Sequence, residues 1–165
     1  ERTVELAAIA GYLHDIGKMI NRKGHETSGA LMAFHLLNDM GAAQEDIATI
    51  VTAIGNHDEA TAFPVNDVAA ALMIADKTDV RRTRVRDKAS IAFDIHDRVN
   101  YAVVDSRVEV LTEEKEIRLN LSIDTASSPI SEYFEIFLSR MILCRKAAEK
   151  LGYSFGLVIN GQKMM

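Results

Sequence analysis

Along the first half of the chain the apolar residues recur at the three-to-four-residue spacing of amphipathic helices, and in the last third they switch to strict alternation. Residues 3 to 15 place Leu6, Ile9, Ala10 and Leu13 at helical spacing. Ala7 and Ala8 keep most of the remaining surface small and apolar, which predicts a helix buried on several sides. Gly17 then supplies a stop. After the polar link Asn21-Arg22-Lys23-Gly24, the segment His25 to Met40 carries Ala30, Leu31, Phe34 and Leu37 on one face and is closed by Gly41. The third helix, over residues 44 to 58, has the clearest pattern, with Ile47, Ile50, Val51 and Ile54 at i, i+3, i+4 and i+7. Beyond the break at Phe63-Pro64, Asn66 or Asp67 can cap a fourth helix whose stripe is Val68, Ala69, Leu72 and Met73.

The second half has a different character. Ser90 to Ala102 contains His96-Asp97 flanked by Asp94 and Arg98, with no apolar stripe leading into it, and reads as a polar interface network. Tyr101 to Val110 is rich in β-branched residues, Thr112 to Lys115 is a charged turn, and Ile117, Leu119, Leu121 and Ile123 alternate with polar neighbours. That is a β-hairpin with one buried face. Ser128-Pro129 opens a long helix with Tyr133, Phe134, Phe137, Met141, Ala148 and Leu151 on its apolar face, Gly152 ends it, and Phe155, Leu157 and Ile159 predict a third strand. The expected fold is mainly α with a small α+β portion. A helical core spans residues 1–98, and a C-terminal strand-strand-helix-strand portion over 99–165 packs on it as one structural unit. The first helix is already under way at Glu1, so an upstream segment is expected.

Composition narrows the functional classes. A chain of 165 residues, 48% apolar and 26% charged, can bury one substantial core. No apolar run approaches the roughly 20 residues of a membrane span, and the N-terminus lacks a secretory pattern, so a cytoplasmic location without membrane association is expected. Cys144 is the single cysteine, which excludes intrachain disulfides and cysteine-based zinc sites. A net charge of -5 argues against general nucleic-acid binding.

The candidate chemistry sits where the stripes end. His14 lies four residues after Ala10 and seven after Ala7, so it extends the buried surface of the first helix, and Asp15 follows it. An ordinary structural reading makes His14 a helix-end cation beside the dipole and leaves Asp15 in solvent. His57 and Asp58 fall on the next turn of the third helix's apolar face, where a dipole-facing histidine and a solvated aspartate are again the plain alternative. Asp76 continues the Leu72 and Met73 stripe, and a carboxylate there is costly unless paired or bound to a metal. His25 stands at a helix start, within reach of the end of the preceding helix, whereas His35 in a helix interior reads as structural. Three apolar stripes that each run into a potential metal ligand, with His25 at a helix start, favour a metal site. Mixed imidazole and carboxylate donors suit manganese, iron, cobalt, nickel or zinc, and magnesium accepts the carboxylates. After Asp76 come Lys77, Arg81, Arg84 and Lys88 at spacings of four, three and four, with Arg82 and Arg86 beside them. Such a run is either a solvated basic face on a continuing helix or an anion clamp.

His14-Asp15-Ile16-Gly17-Lys18, His25, Asn56-His57-Asp58-Glu59 and Ile74-Ala75-Asp76-Lys77-Thr78-Asp79 together resemble the HD superfamily of metal-dependent phosphohydrolases over about the first half of the chain. The resemblance implies a helical bundle in which His14, Asp15 and Asp76 hold one divalent metal ion. Asp15 would bridge to a second ion completed by His25 and His57, and Lys18 would face substrate phosphate. The family's first metal-binding histidine normally lies upstream of the His-Asp pair, and residues 1 to 13 contain none. The Gly-Tyr-Pro signature of cyclic-di-GMP phosphodiesterases is also absent, which disfavours that subgroup. The leading expectation is hydrolysis of a nucleotide or another small phosphorylated metabolite by metal-activated water. Catalysis would fall to Asp15, Lys18 and Asp58, the last orienting the water, and phosphate contacts to Lys18, Lys77, Arg81 and Arg84. Alternatives are a non-catalytic metal- or nucleotide-sensing module and, from another enzyme class, a di-iron oxygenase. The C-terminal third matches no catalytic pattern, and a homodimer contact is its expected use.

Overall fold

A computed structural model of the chain describes residues 1–59 and 62–165. The chain divides into two units, Glu1–Asp76 and Lys77–Met165.

Helix α1 (Arg2–Leu13) buries Leu6, Ala10 and Leu13. Its burial is one-sided: Tyr12 is 89% exposed and borders an apolar groove with Ala8, Ile9, Leu36 and Met40, against the all-round burial that the alanines suggest. The helix ends at Leu13, and Gly17 lies inside the following 3-10 turn, Ile16–Met19. Gly17 therefore does not stop α1. A Cβ there would overlap the carbonyl oxygen of His25 and lie 2.6 Å from the amide nitrogen of Gly29, so Gly17 lets this turn lie directly on the next helix.

Helix α2 (His25–Asp39) turns His25, Gly29, Ala33 and Leu37 inward at four-residue spacing. Leu31 and Phe34, which the stripe places in the core, are 60% and 39% exposed. Small residues take the inner face because α2 packs tightly on both the 3-10 turn and α3 (Gln44–Gly55), and larger side chains there would hold them apart. Helix α3 buries Ile47, Ile50 and Ile54 as its spacing predicts, and with them Ala53, whereas Val51 of the predicted stripe is only partly buried. Each of these buried isoleucines contributes about 1.5–3 kcal/mol. Asn66 caps α4 (Asp67–Lys77), accepting the amide hydrogen of Ala69 at 2.8 Å, and its own amide donates to Thr52 Oγ1 at 3.1 Å, which ties the start of α4 to α3. Val68, Ala69, Leu72 and Met73 are all buried.

In the second unit α4 ends at Lys77, and the basic residues that follow lie on a loop with a short 3-10 turn, Arg82–Arg84. The continuing helix expected there does not form, because Asp79 draws Arg81 and Arg84 into local ion pairs at 2.8 and 2.7 Å. Helix α5 (Ile95–Ala102) begins at Asp94, whose carboxylate accepts the amide hydrogen of His96, and Arg98 grips Glu132 with two bonds of 3.0 Å. Strands β1 (Val103–Leu111) and β2 (Glu116–Ile123) form the antiparallel hairpin. Helix α6 (Ile130–Lys150) crosses over the sheet with Tyr133, Phe137, Met141, Cys144 and Ala148 buried, and delivers β3 (Ser154–Ile159) parallel to β2. A two-residue strand β4 (Gln162–Lys163) completes the order β1-β2-β3-β4. The result is a mainly helical protein with a small C-terminal sheet. Among the described residues, no helix is long and apolar enough to cross a membrane.

Candidate metal centre

The site is built in the first unit from the ends of four α-helices and the cap of a 3-10 turn. Closing α1 at Leu13 leaves His14 as its cap and Asp15 as the N-terminal cap of the 3-10 turn. Contact of Gly17 with Gly29 sets that turn against the start of α2, so Asp15 faces His25. His57 follows the end of α3, and Asp76 lies on the last turn of α4.

Asp15 is the centre of the arrangement. Its Oδ1 lies 3.4 Å from Nε2 of His25 and 3.9 Å from Nε2 of His57. Its Oδ2 lies 3.5 Å from Nε2 of His14 and 2.5 Å from Nζ of Lys18. Asp76 Oδ1 stands 3.7 Å from Nε2 of His14, with its side chain 21% exposed, so this carboxylate is half-buried at the mouth of the cluster instead of sealed within it. Burial pushes the Asp15 carboxyl up, but the Lys18 hydrogen bond, with the charge of His14 when its ring is protonated and that of Lys18, outweighs it and holds the group below the ordinary aspartate range.

The histidines share one local device. Nδ1 of His14 lies 2.7 Å from the carbonyl oxygen of Gly11, that of His25 2.9 Å from Arg22, and that of His57 2.6 Å from Ile54. A carbonyl can only accept, so each Nδ1 carries the hydrogen and, in the neutral ring, each Nε2 carries a lone pair. Three lone pairs are thereby turned toward one carboxylate. His25 and His57 bring their Nε2 atoms to 3.2 Å, a separation at which two lone pairs repel unless a cation or a proton lies between or beside them. Both rings are buried, His25 at 6% exposure and His57 at 1%. This donor set fits a divalent transition metal: neutral imidazoles oriented by backbone carbonyls, with anionic oxygens beside them.

Candidate ligand atoms fall into three groups within 4.8 Å: His14, His57 and Asp76; Asp15, His25 and His57; and His25, Glu26 and Asp58. His57 thus stands with both halves of the cluster, not with His25 alone. Glu26 is the residue that sequence reasoning missed. An acidic side chain in the first turn of a helix is favoured by the dipole anyway, so nothing in the sequence marks it, yet its Oε2 lies 3.5 Å from Nδ1 of His25. Lys18 is half-exposed at the edge of the cluster. Lys77 is buried at the end of α4, which removes it from any solvated basic face, while Arg81 and Arg84 share the Asp79 carboxylate in the second unit. The other histidine-aspartate pair belongs to the second unit, with the His96 side chain 61% exposed.

Residues 1–81 match the family model of the HD domain. No curated protein and no solved structure matches the chain. The matched segment contains the whole cluster, from His14 to Asp76, and HD domains are in general metal-dependent hydrolases. Through its first 81 residues the chain belongs to the HD domain superfamily.

Proposed function

We propose that the protein is a metal-dependent phosphohydrolase acting on a nucleotide or another small phosphorylated metabolite, with His14, Asp15, His25, His57 and Asp76 holding one or two divalent cations. One observation carries the proposal: three histidines, each with Nδ1 donating to a carbonyl three residues back, turn Nε2 toward the Asp15 carboxylate. The division of Asp15 supports a bridging role, since Oδ1 faces His25 and His57 while Oδ2 faces His14. A bound divalent cation supplies Lewis acidity for the phosphoryl group and for water. The chain's own residues do the rest. Lys18, exposed enough to swing from Asp15, meets a phosphate oxygen and offsets its growing charge. Asp58, grouped with Glu26 beside His25, orients the water and accepts its proton. Two guanidinium groups on the single Asp79 carboxylate leave the stretch after α4 cationic, which draws in an anionic substrate.

The test joins elemental analysis to a panel of phosphorylated metabolites. The purified chain is expected to bind at least one divalent ion and to release phosphate only when loaded. Asp15→Ala should abolish turnover and sharply reduce bound metal. His25→Ala should remove one ion of two, and if it leaves the full metal content while substrate binding falls, the site holds a single ion. Metal retention with no phosphate release across the panel would defeat the hydrolase reading, and failure to bind metal would defeat the whole assignment.

A further inference from the structure

Strand β1 is the long edge of the sheet, running from Val103 to Leu111 with β2 on one side and no partner on the other among the described residues. Val108 stands opposite Leu119 and Val110 opposite Ile117, so these valines lie on the sheet face that carries the core. Leu119 is fully buried and Ile117 is 5% exposed, yet Val108 is 40% exposed and Val110 59%. The reason is that α6 packs over β3 and β2 and stops short of the edge. A long strand with open backbone groups and apolar side chains on its core face is a template for another strand.

The sequence of this edge says what that strand is. The register is regular from Asp105 to Leu111, because the irregularity falls between Val103 and Asp105, and Val108 is its midpoint. We infer that two copies of this chain pair β1 to β1, antiparallel, about a two-fold axis through Val108, joining their sheets. In that register Val108 meets its own copy, with Val110 diagonal to it, so four valines cover one another on one face. On the other face Arg107 lies opposite Glu109 of the second copy, and the pair occurs twice by symmetry. Neighbouring registers are worse. An axis through Arg107 sets arginine on arginine and Asp105 against Glu109, and an axis through Ser106 draws the irregular Val103 into the ladder. Charges on an edge strand ordinarily keep other strands away. Here both signs are present and self-complementary about one point, which favours a second copy over an unrelated peptide. The proposal is independent of the metal centre.

Sedimentation equilibrium of the whole chain over micromolar concentrations is expected to show a monomer–dimer equilibrium. Arg107→Glu places like charges opposite each other twice and should weaken the dimer by about tenfold or more, as should Glu109→Arg. The double swap Arg107→Glu with Glu109→Arg should restore it, a rescue that misfolding would not give. Val108→Cys should form a disulfide-linked dimer under mild oxidation whereas Arg107→Cys does not, and the native Cys144 is buried and out of the way. This crosslink decides the matter if a charge variant fails to fold. A parent chain that stays monomeric overturns the inference. So does a dimer that ignores both charge reversals and does not crosslink at position 108, which would place the interface on another face.

Discussion

Gly17 and Gly11 stand six residues apart and are glycine for opposite reasons. Gly17 lies under α2 with its α-hydrogens against backbone atoms of His25 and Gly29, so any side chain pushes α2 away. Gly11 sits in α1 with nothing within 4 Å of where a Cβ would stand. Gly11→Ala should therefore stabilise the protein by about 0.5–1 kcal/mol, by reducing the freedom of the unfolded chain and improving helix propensity. Gly17→Ala should cost about 3 kcal/mol or more, since backbone atoms cannot move aside as side chains do. Because Gly17 also sets Asp15 against His25, that variant should bind metal less well even under conditions where it remains folded. Urea denaturation of the two variants, with elemental analysis of each, checks both expectations. Equal stability of Gly17→Ala and the parent would remove the close approach as the basis for the site's geometry. At this scale much of the candidate site is legible in the sequence. His14, His57 and Asp76 each continue an apolar stripe, and a stripe that runs into a donor is visible without a structure. Glu26 is hidden because a first-turn acid already has a reason to be there.

Among the elements, β2, β3 and β4, already paired through their backbones, are also bridged by one buried carboxylate. Glu116 at the start of β2 accepts from Arg118 on the same strand and from Lys163 of β4 at 3.3 Å, and it fills the space that Gly156 on β3 leaves open. The Arg118 hydrogen bond, helped by Lys163 and opposed by burial, holds the Glu116 carboxyl below the usual glutamate range. A carboxyl whose folded pKa is depressed stabilises the fold fully above its unfolded pKa and loses that contribution as pH falls through the folded value. Stability measured from neutral pH down through the acid range should therefore fall less steeply in Glu116→Gln than in the parent, with the two converging at the acid end. Parallel curves would mean that Glu116 titrates alike in the folded and unfolded chains. Sequence patterning finds β2 and β3 but not the two-residue β4, and it misjudges which residues of α2 turn inward. Hydrophobic size marks Leu31 and Phe34, whereas the close contact is made by Gly29 and Ala33, and small residues carry a weak periodic signal. The basic run after α4 is misread for a related reason. Its spacing is helical, yet local pairing with Asp79 outweighs a propensity worth only tenths of a kcal/mol per residue.

For the molecule as a whole, the parallel pairing of β2 with β3 is invisible in the alternation pattern, which reports that a strand exists and not which strand it joins. It has a consequence in time. The unit Glu1–Asp76 holds α1, α2, α3 and all but the last residue of α4, whereas the sheet of the second unit stays incomplete until α6 has been crossed and β3 arrives. Contacts that span a crossover form slowly, because the intervening chain must be ordered before they repay the cost. Pulse-labelled hydrogen exchange during refolding should show amides of Ile50 and Ile54 protected before those of Leu119 and Leu121, and simultaneous protection would contradict this order. On a ribosome, which releases the chain from its N-terminus, the first unit could close while Leu119 and Leu121 were still bare. That interval makes the nascent β1–β2 hairpin, with both its outer edges open, the stretch of this chain that a chaperone would have most reason to shield.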